Sequence, residues 1–220
     1  MNQFPSIRLF LVRHAQARNA PGTSYDDASL SVLGRSQAAA AAHACAELGP
    51  DALYASPATR ARETADRVGA ATGLPVTVDE RLLEYRFGSV TDPNLTMDQL
   101  RERRDDLLAW HPDRKLAADG ETIREFAERV MAVTDEIVAR HVGERVAVVS
   151  HAGTIDVTMR WAIGIAPGTP VLHDFPIANA SISELIHWPH GRMTGGAPRY
   201  TEFASVGSVD HLPFDVRSGN

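Results

Sequence analysis

The chain has 220 residues, 44% of them hydrophobic and 23% charged, with a net charge of −6. That balance suits a globular protein with a sizeable core, and the acidic total argues against a nucleic-acid binder, which presents a basic face. No apolar run approaches the roughly 20 residues of a membrane span, and the start Met1-Asn2-Gln3-Phe4-Pro5 lacks a basic then apolar leader, so the expected compartment is the cytoplasm, with no membrane partner.

Residues 7–12 form a short apolar run that ends abruptly in Arg13-His14, the pattern of a strand buried on both faces. Residues 20–33, with Pro21-Gly22 and Asp26-Asp27, read as a loop. Alanine density predicts a helix over 33–48, stopped by Gly49-Pro50. This helix holds the lone cysteine, Cys45, expected to be a buried apolar residue. A second strand is predicted over 52–55. Ser56-Pro57 then reads as a helix start, with Ser as N-cap and Pro at the first helical position, and Gly73 closes that helix.

A third strand is predicted over 75–78. Residues 79–120 are less regular, with one helix expected over 95–110. Residues 123–141 keep apolar residues at helical spacing, and Thr122 with Glu125 fits a capping box. The fourth strand is predicted over 145–149, followed by Ser150-His151-Ala152-Gly153 and a helix to about residue 163. A fifth strand is predicted over 182–188 and a sixth over 200–205. From Val206 the sequence reads as a mobile tail with little core. This alternation predicts an α/β fold, a three-layer α/β/α sandwich around a mostly parallel central sheet of about six strands. Residues 1–205 read as one domain, with 79–120 as an insertion capping the site and 206–220 as the C-terminal tail.

His14 lies just past the first strand and His151 just past the fourth, where it opens a helix. Ligands of open α/β sheets gather at the carboxyl ends of strands, so the two imidazoles could share one crevice. Arg13 precedes His14, and Arg60 sits in the first turn of the helix after strand two. A guanidinium fork suits phosphate, and the helix after His151 offers free N–H groups and a positive dipole end. Such a pocket wants a dianion and disfavours a protonated imidazole, which leaves one nitrogen free to attack phosphorus. Glu84, after the third strand, is the candidate general acid for the leaving alkoxide. Singly, each residue has a blander reading, as a structural histidine or a solvated charge; their agreement carries the case. The other seven histidines show no metal-ligand spacing.

The same residues resemble motifs of the histidine phosphatase superfamily, which includes cofactor-dependent phosphoglycerate mutases. Arg13-His14-Ala15-Gln16 resembles its Arg-His-Gly signature, and Leu30-Ser31-Val32-Leu33-Gly34-Arg35-Ser36-Gln37-Ala38 its Leu-Thr-x-x-Gly-x-x-Gln-Ala segment. The run from Ser56-Pro57 through Arg60 to Ala65 is similar to its second-arginine helix. Leu83-Glu84 with Phe87-Gly88 resembles its acid segment, and Ser150-His151-Ala152-Gly153 its Ser-His-Gly-Gly motif. The resemblance implies His14 as the phosphorylated nucleophile, Arg13, Arg60 and His151 as the phosphate pocket, Glu84 as proton donor, and neither metal nor cofactor. Ala15 and Ala152 replace family glycines, Ala17 and Ala20 replace two polar loop residues, and Tyr85 stands where mutases carry an Arg.

The expected function is a phosphomonoesterase acting through a phosphohistidine on a small phosphorylated metabolite. The alternatives are a cofactor-dependent phosphoglycerate mutase, which Tyr85 argues against, a metal-dependent hydrolase, and a non-catalytic module that binds a phosphorylated ligand. Substrate choice is expected from residues 79–120, where Arg101, Arg103, Arg104, Trp110 and Tyr85 are candidate contacts, and from the loop 20–30. The sequence leaves open whether the chain forms a homodimer.

Overall fold

The computed structural model describes residues 5–18, 28–89, 97–170, 175–191 and 199–217. The apolar run at the N-terminus is strand β1 (Ile7–Arg13). Successive side chains on a strand point to opposite faces. Ile7, Leu9 and Leu11 therefore enter one core cluster, while Phe10 and Val12 enter another. Both faces of β1 are covered from Leu9 to Val12, as the apolar run there implies, and Arg8 alone on the strand is exposed.

The later strands are β2 (Ala17–Arg18), β3 (Ser29–Leu30), β4 (Ala52–Ala55), β5 (Val76–Val78), β6 (Arg145–Ser150), β7 (Ile182–Trp188) and β8 (Tyr200–Ser208). The helices are α1 (Val32–Leu48), α2 (Thr59–Thr72), α3 (Met97–Trp110), α4 (Ile123–Arg140) and α5 (Ala152–Ala162). The main sheet has six strands in the order β5-β4-β6-β1-β7-β8. The first four run parallel, β7 pairs antiparallel with β1, and β8 antiparallel with β7. Leu53, Ala147 and Val149 join Phe10 and Val12 against α1 and α2, while Tyr54, Val146 and Val148 join Leu9 and Leu11 against α4 and α5. The result is the α/β/α sandwich, with its sheet mostly parallel.

Local chemistry explains the helix ends. Ser31 caps α1 by accepting from the Gly34 N–H, and Gly49 ends it in the left-handed conformation, φ 60°. Cys45 is buried in this helix, and burial pushes its thiol up to about 12. Thr122 and Glu125 form the complete capping box of α4. Its inward residues include Ile123, Phe126, Val130, Val133 and Ile137.

Three expectations are corrected. Ser56 is not the N-cap of α2; that helix starts at Thr59 behind Ala58, with no side-chain cap, and the Ser56 hydroxyl bonds to His151 instead. The end of the expected loop 20–33 is structured, because β3 pairs antiparallel with β2; residues 20–27 of that loop lie outside the described residues. The stretch past Val206 is not short of core: β8 continues to Ser208, Leu212 is buried, and the Gln37 amide donates to the Val216 carbonyl at 2.8 Å.

Candidate active site

The strand order places three parallel strand ends side by side. β6 lies between β4 and β1, and Arg13 is level with Ser150 while Ala55 is level with Val149. The residues that follow, His14, His151 and the Ser56 to Arg60 turn, therefore emerge at one edge. The His14 N–H donates to the Ser150 carbonyl at 2.9 Å and the Ser56 N–H to the Val149 carbonyl at 3.0 Å, which extends the ladder into the site.

The two imidazoles stand 5.1 Å apart between ring centroids. Arg60, fully buried, bridges them. Its Nε–H donates to His14 Nε2 at 3.1 Å and its Nη2 lies 3.1 Å from His151 Nδ1. These contacts fix the tautomers. His14 Nδ1 is 2.8 Å from the Ala15 carbonyl, so Nδ1 carries the proton and Nε2 keeps its lone pair. His151 accepts from Arg60 at Nδ1 and donates from Nε2 to the Ser56 hydroxyl, 2.8 Å away.

Electrostatics reinforce this state. Burial holds the His14 imidazole well below its usual 6.5, and the Arg60 and Arg13 guanidiniums push it further down. His151 is lowered in the same way, by burial first and then by His14 and both arginines. A neutral imidazole with an unprotonated Nε2 amid guanidiniums is what attack on an anionic phosphoryl group requires.

Glu84 reaches the same end of the sheet. Its Oε2 accepts the Gly153 N–H at 2.9 Å, in the first turn of α5 and two residues beyond His151, and its Oε1 accepts the Tyr85 N–H at 3.0 Å. Gly153 makes this approach possible, since a Cβ there would overlap the Glu84 carboxylate. The amide at Gly153, one of those the sequence assigned to an incoming anion, is thus engaged by Glu84.

Arg13, His14, Arg60, Glu84 and His151, the site residues expected from sequence, thus lie at these strand ends or against them. Arg13 donates from Nη1 to the Ile177 carbonyl at 2.6 Å, which ties the strand to the segment before β7. Tyr85 departs from expectation. It is buried, its hydroxyl donates to the Glu121 carbonyl at 2.8 Å, and its ring packs on Phe87 and Phe126, so it is a core residue and not a substrate contact. Arg103 is exposed on α3; the side chains of Arg101, Arg104 and Trp110 lie outside the described set.

Sequence reading missed four contributors. Ser56 orients His151, and Thr64 on α2 accepts the Ala15 N–H at 3.2 Å while donating to the Arg60 carbonyl at 2.8 Å. Asn179 and Ala180 both donate to the His14 carbonyl, at 3.1 and 3.2 Å. Ala180 does so at φ 57°, a conformation that nothing in an alanine advertises. Thr64 carried a faint signal, standing one helical turn beyond Arg60. Among the described residues no three His, Cys, Asp or Glu side chains are placed to hold a metal ion, and no helix is long and apolar enough to cross a membrane.

Comparison with known proteins identifies the family and the fold. The model of the histidine phosphatase superfamily (branch 1) matches residues 9–194. A glucosyl-3-phosphoglycerate phosphatase of Mycolicibacterium vanbaalenii is 31% identical over 191 residues, covering 81% of this chain and 83% of the relative. A phosphoserine phosphatase of Hydrogenobacter thermophilus is 28% identical over 191 residues, covering 84% and 89%. A bifunctional protein of Mycobacterium tuberculosis is 32% identical over 184 residues, and there the chain spans 50% of the relative's length. Among solved structures, a mycobacterial glucosyl-3-phosphoglycerate phosphatase with inorganic phosphate superposes with a TM-score of 0.72 at 27% identity, covering 94% of this chain and 99% of that one. The chain belongs to the histidine phosphatase superfamily, branch 1.

Proposed function

We propose that this protein, a phosphoric monoester hydrolase by its family, cleaves small phosphorylated metabolites by passing the phosphoryl group through His14. The observation that carries this reading is the His14 imidazole itself, with Nδ1–H held by the Ala15 carbonyl and Nε2 aimed at Arg60. A bound phosphoryl group takes over the Arg60 N–H groups and so frees Nε2. His151, which offers a lone pair in the resting site, takes up a proton from solvent as the dianion binds and donates it in a hydrogen bond to a phosphoryl oxygen. His14 Nε2 then forms a bond to phosphorus as the ester P–O bond breaks, with Arg13, Arg60 and His151 stabilising charge on the phosphoryl oxygens. Glu84 gives its proton to the leaving alkoxide. In the second step water attacks the phosphohistidine, Glu84 accepts a proton from that water, and the P–N bond returns its electrons to Nε2.

The substrates in the relatives' names, phosphoserine and glucosyl-3-phosphoglycerate, both join a phosphate ester to a carboxylate. A panel of such acids, with sugar phosphates and nucleotides beside it, is the substrate set to test. Against the mutase alternative stands Tyr85, whose buried ring cannot supply a cation to a second acid. We expect His14→Ala to lower kcat by at least about a thousand-fold, as loss of a covalent nucleophile does, and to abolish acid-labile labelling of the enzyme by a 32P-phosphoester. Chelator should leave the native rate unchanged. Retention of label in His14→Ala, or net transfer between 3- and 2-phosphoglycerate as the main reaction, would refute this reading.

A further inference from the structure

Glu84 stands on a segment with no regular structure beyond the short 3-10 turn Glu80–Leu82. Such a segment would ordinarily let a carboxyl wander. Its backbone is instead held from α4. Arg129 directs all five of its N–H groups at this segment and at Glu121. Nη1 donates to the carbonyls of Arg81 and Leu83, at 2.9 and 2.7 Å, and Nη2 to that of Glu84 at 2.8 Å. Nε and Nη2 grip the two Glu121 oxygens at 2.9 and 2.6 Å. The guanidinium lies 4.8 Å over the Phe126 ring, and the Arg129 and Glu121 side chains are only 15% and 10% exposed.

Glu121 closes the other side. The Arg86 N–H donates to its Oε1 at 2.8 Å and the Tyr85 hydroxyl to its carbonyl. Thr154, on α5, donates to the Leu83 carbonyl at 3.1 Å. The backbone on both sides of Glu84 is thus pinned between α4 and α5, while the Glu84 carboxyl itself accepts the N–H groups of Tyr85 and Gly153.

We propose that Arg129, clamped by Glu121, is the positioning residue for the proton donor of this site. The proposal rests on the reading of Glu84 as that donor. Only a planar fork with five donors can span three carbonyls and a carboxylate at once; a lysine has three donors on a flexible stem. Loss of the fork leaves the carboxyl chemically intact but misplaced, and misplacement by about 1 Å can cost about a hundred-fold. The cost should fall only where a proton must be delivered.

The test measures the single-turnover rate of phosphoryl transfer to His14 from two substrates. One is an alkyl phosphate, whose leaving group needs a proton; the other is 2,4-dinitrophenyl phosphate, whose leaving group does not. Arg129→Lys should slow the alkyl substrate by about 10- to 100-fold and leave the dinitrophenyl rate within about two-fold. In a Glu84→Gln background the same substitution should change neither rate, because the coupled pair is already broken. An equal fall with both substrates, no fall with either, or a full effect persisting in Glu84→Gln would each overturn the proposal. Should Arg129→Lys not fold, Glu121→Gln, which weakens one side of the clamp, should show the same dependence on leaving group at smaller size, and its absence would likewise overturn it. If Glu84→Gln alone shows no such dependence, the donor assignment fails and takes the role of Arg129 with it. That outcome is visible without any change at Arg129.

Discussion

His14 and His151 share a crevice yet carry opposite tautomers, and the difference comes from their neighbours. His14 gives its Nδ1 proton to a carbonyl of its own strand end, whereas His151 gives its Nε2 proton to Ser56. Both rings are held well below the usual 6.5 by burial and by the arginines. Ring-nitrogen NMR of the ligand-free protein should therefore show an Nδ1–H and an Nε2–H imidazole that do not titrate between pH 7.5 and about 6, where an ordinary histidine changes charge. Titration of either ring at 6.5 or above would contradict the arrangement. His14, Arg13, Arg60 and His151 were legible in the sequence because each ends or directly follows a strand or opens a helix, where topology alone sets its place. Ser56, Asn179 and Ala180 were not, since they act through hydrogen bonds to backbone or ring atoms that exist only after the strands pair.

At the scale of elements, the glycines of the recognised motifs are contact points. Gly34 on α1 faces the Gln16 carbonyl so closely that any Cβ would collide with it. Around it the Ser31 N–H donates to that carbonyl, and Gln37 accepts the Gln16 N–H at 2.9 Å. Together Ser31, Gly34 and Gln37 seat α1 against the chain two residues past His14. Gly153 plays the matching part for Glu84. Gly153→Ala should push the carboxylate off the first turn of α5. Activity on alkyl phosphates should fall about ten-fold or more, on the scale general acids contribute, while the melting temperature moves little, because alanine favours helix. Unchanged activity in this variant would mean that Glu84 does not work from the position seen here. The sequence placed Gly153 in a motif but not its partner, because residues 84 and 153 meet only when α5 docks on the segment after β5.

Across the whole molecule, acid should act through its histidines. His14, His151, His187 and His211 all have folded values below 6.5, with burial the leading cause, and His187 is lowered to about 4. The unfolded chain binds protons at these sites near pH 6.5, while the folded chain resists them. Proton uptake therefore favours unfolding. The stabilisation is complete above pH 6.5 and is lost progressively as pH falls toward 4, where His187 also charges. The melting temperature should be flat from pH 8 to 7 and decline steadily below 6.5; a melting temperature unchanged or rising down to pH 5 would contradict this. The layering and the parallel core of the sheet were readable from the alternation of apolar runs. The antiparallel seat of β7 beside β1, and the packing of Leu212 past the last strand, were not, since both depend on long-range closure and not on local pattern.

The strand order also governs when the chemistry can begin. β6 inserts between β4 and β1, pairing Arg8 with Arg145 and Leu53 with Ala147. As the chain leaves the ribosome, His14 and Arg60 emerge early, but the strand that separates and aligns them comes after α4. Until then the nascent chain holds His14 and Arg60 with no frame between them and without His151. The crevice is therefore completed by a central strand that arrives late, so a truncated product that stops before residue 145 carries His14 and Arg60 without His151 or the strand that aligns them.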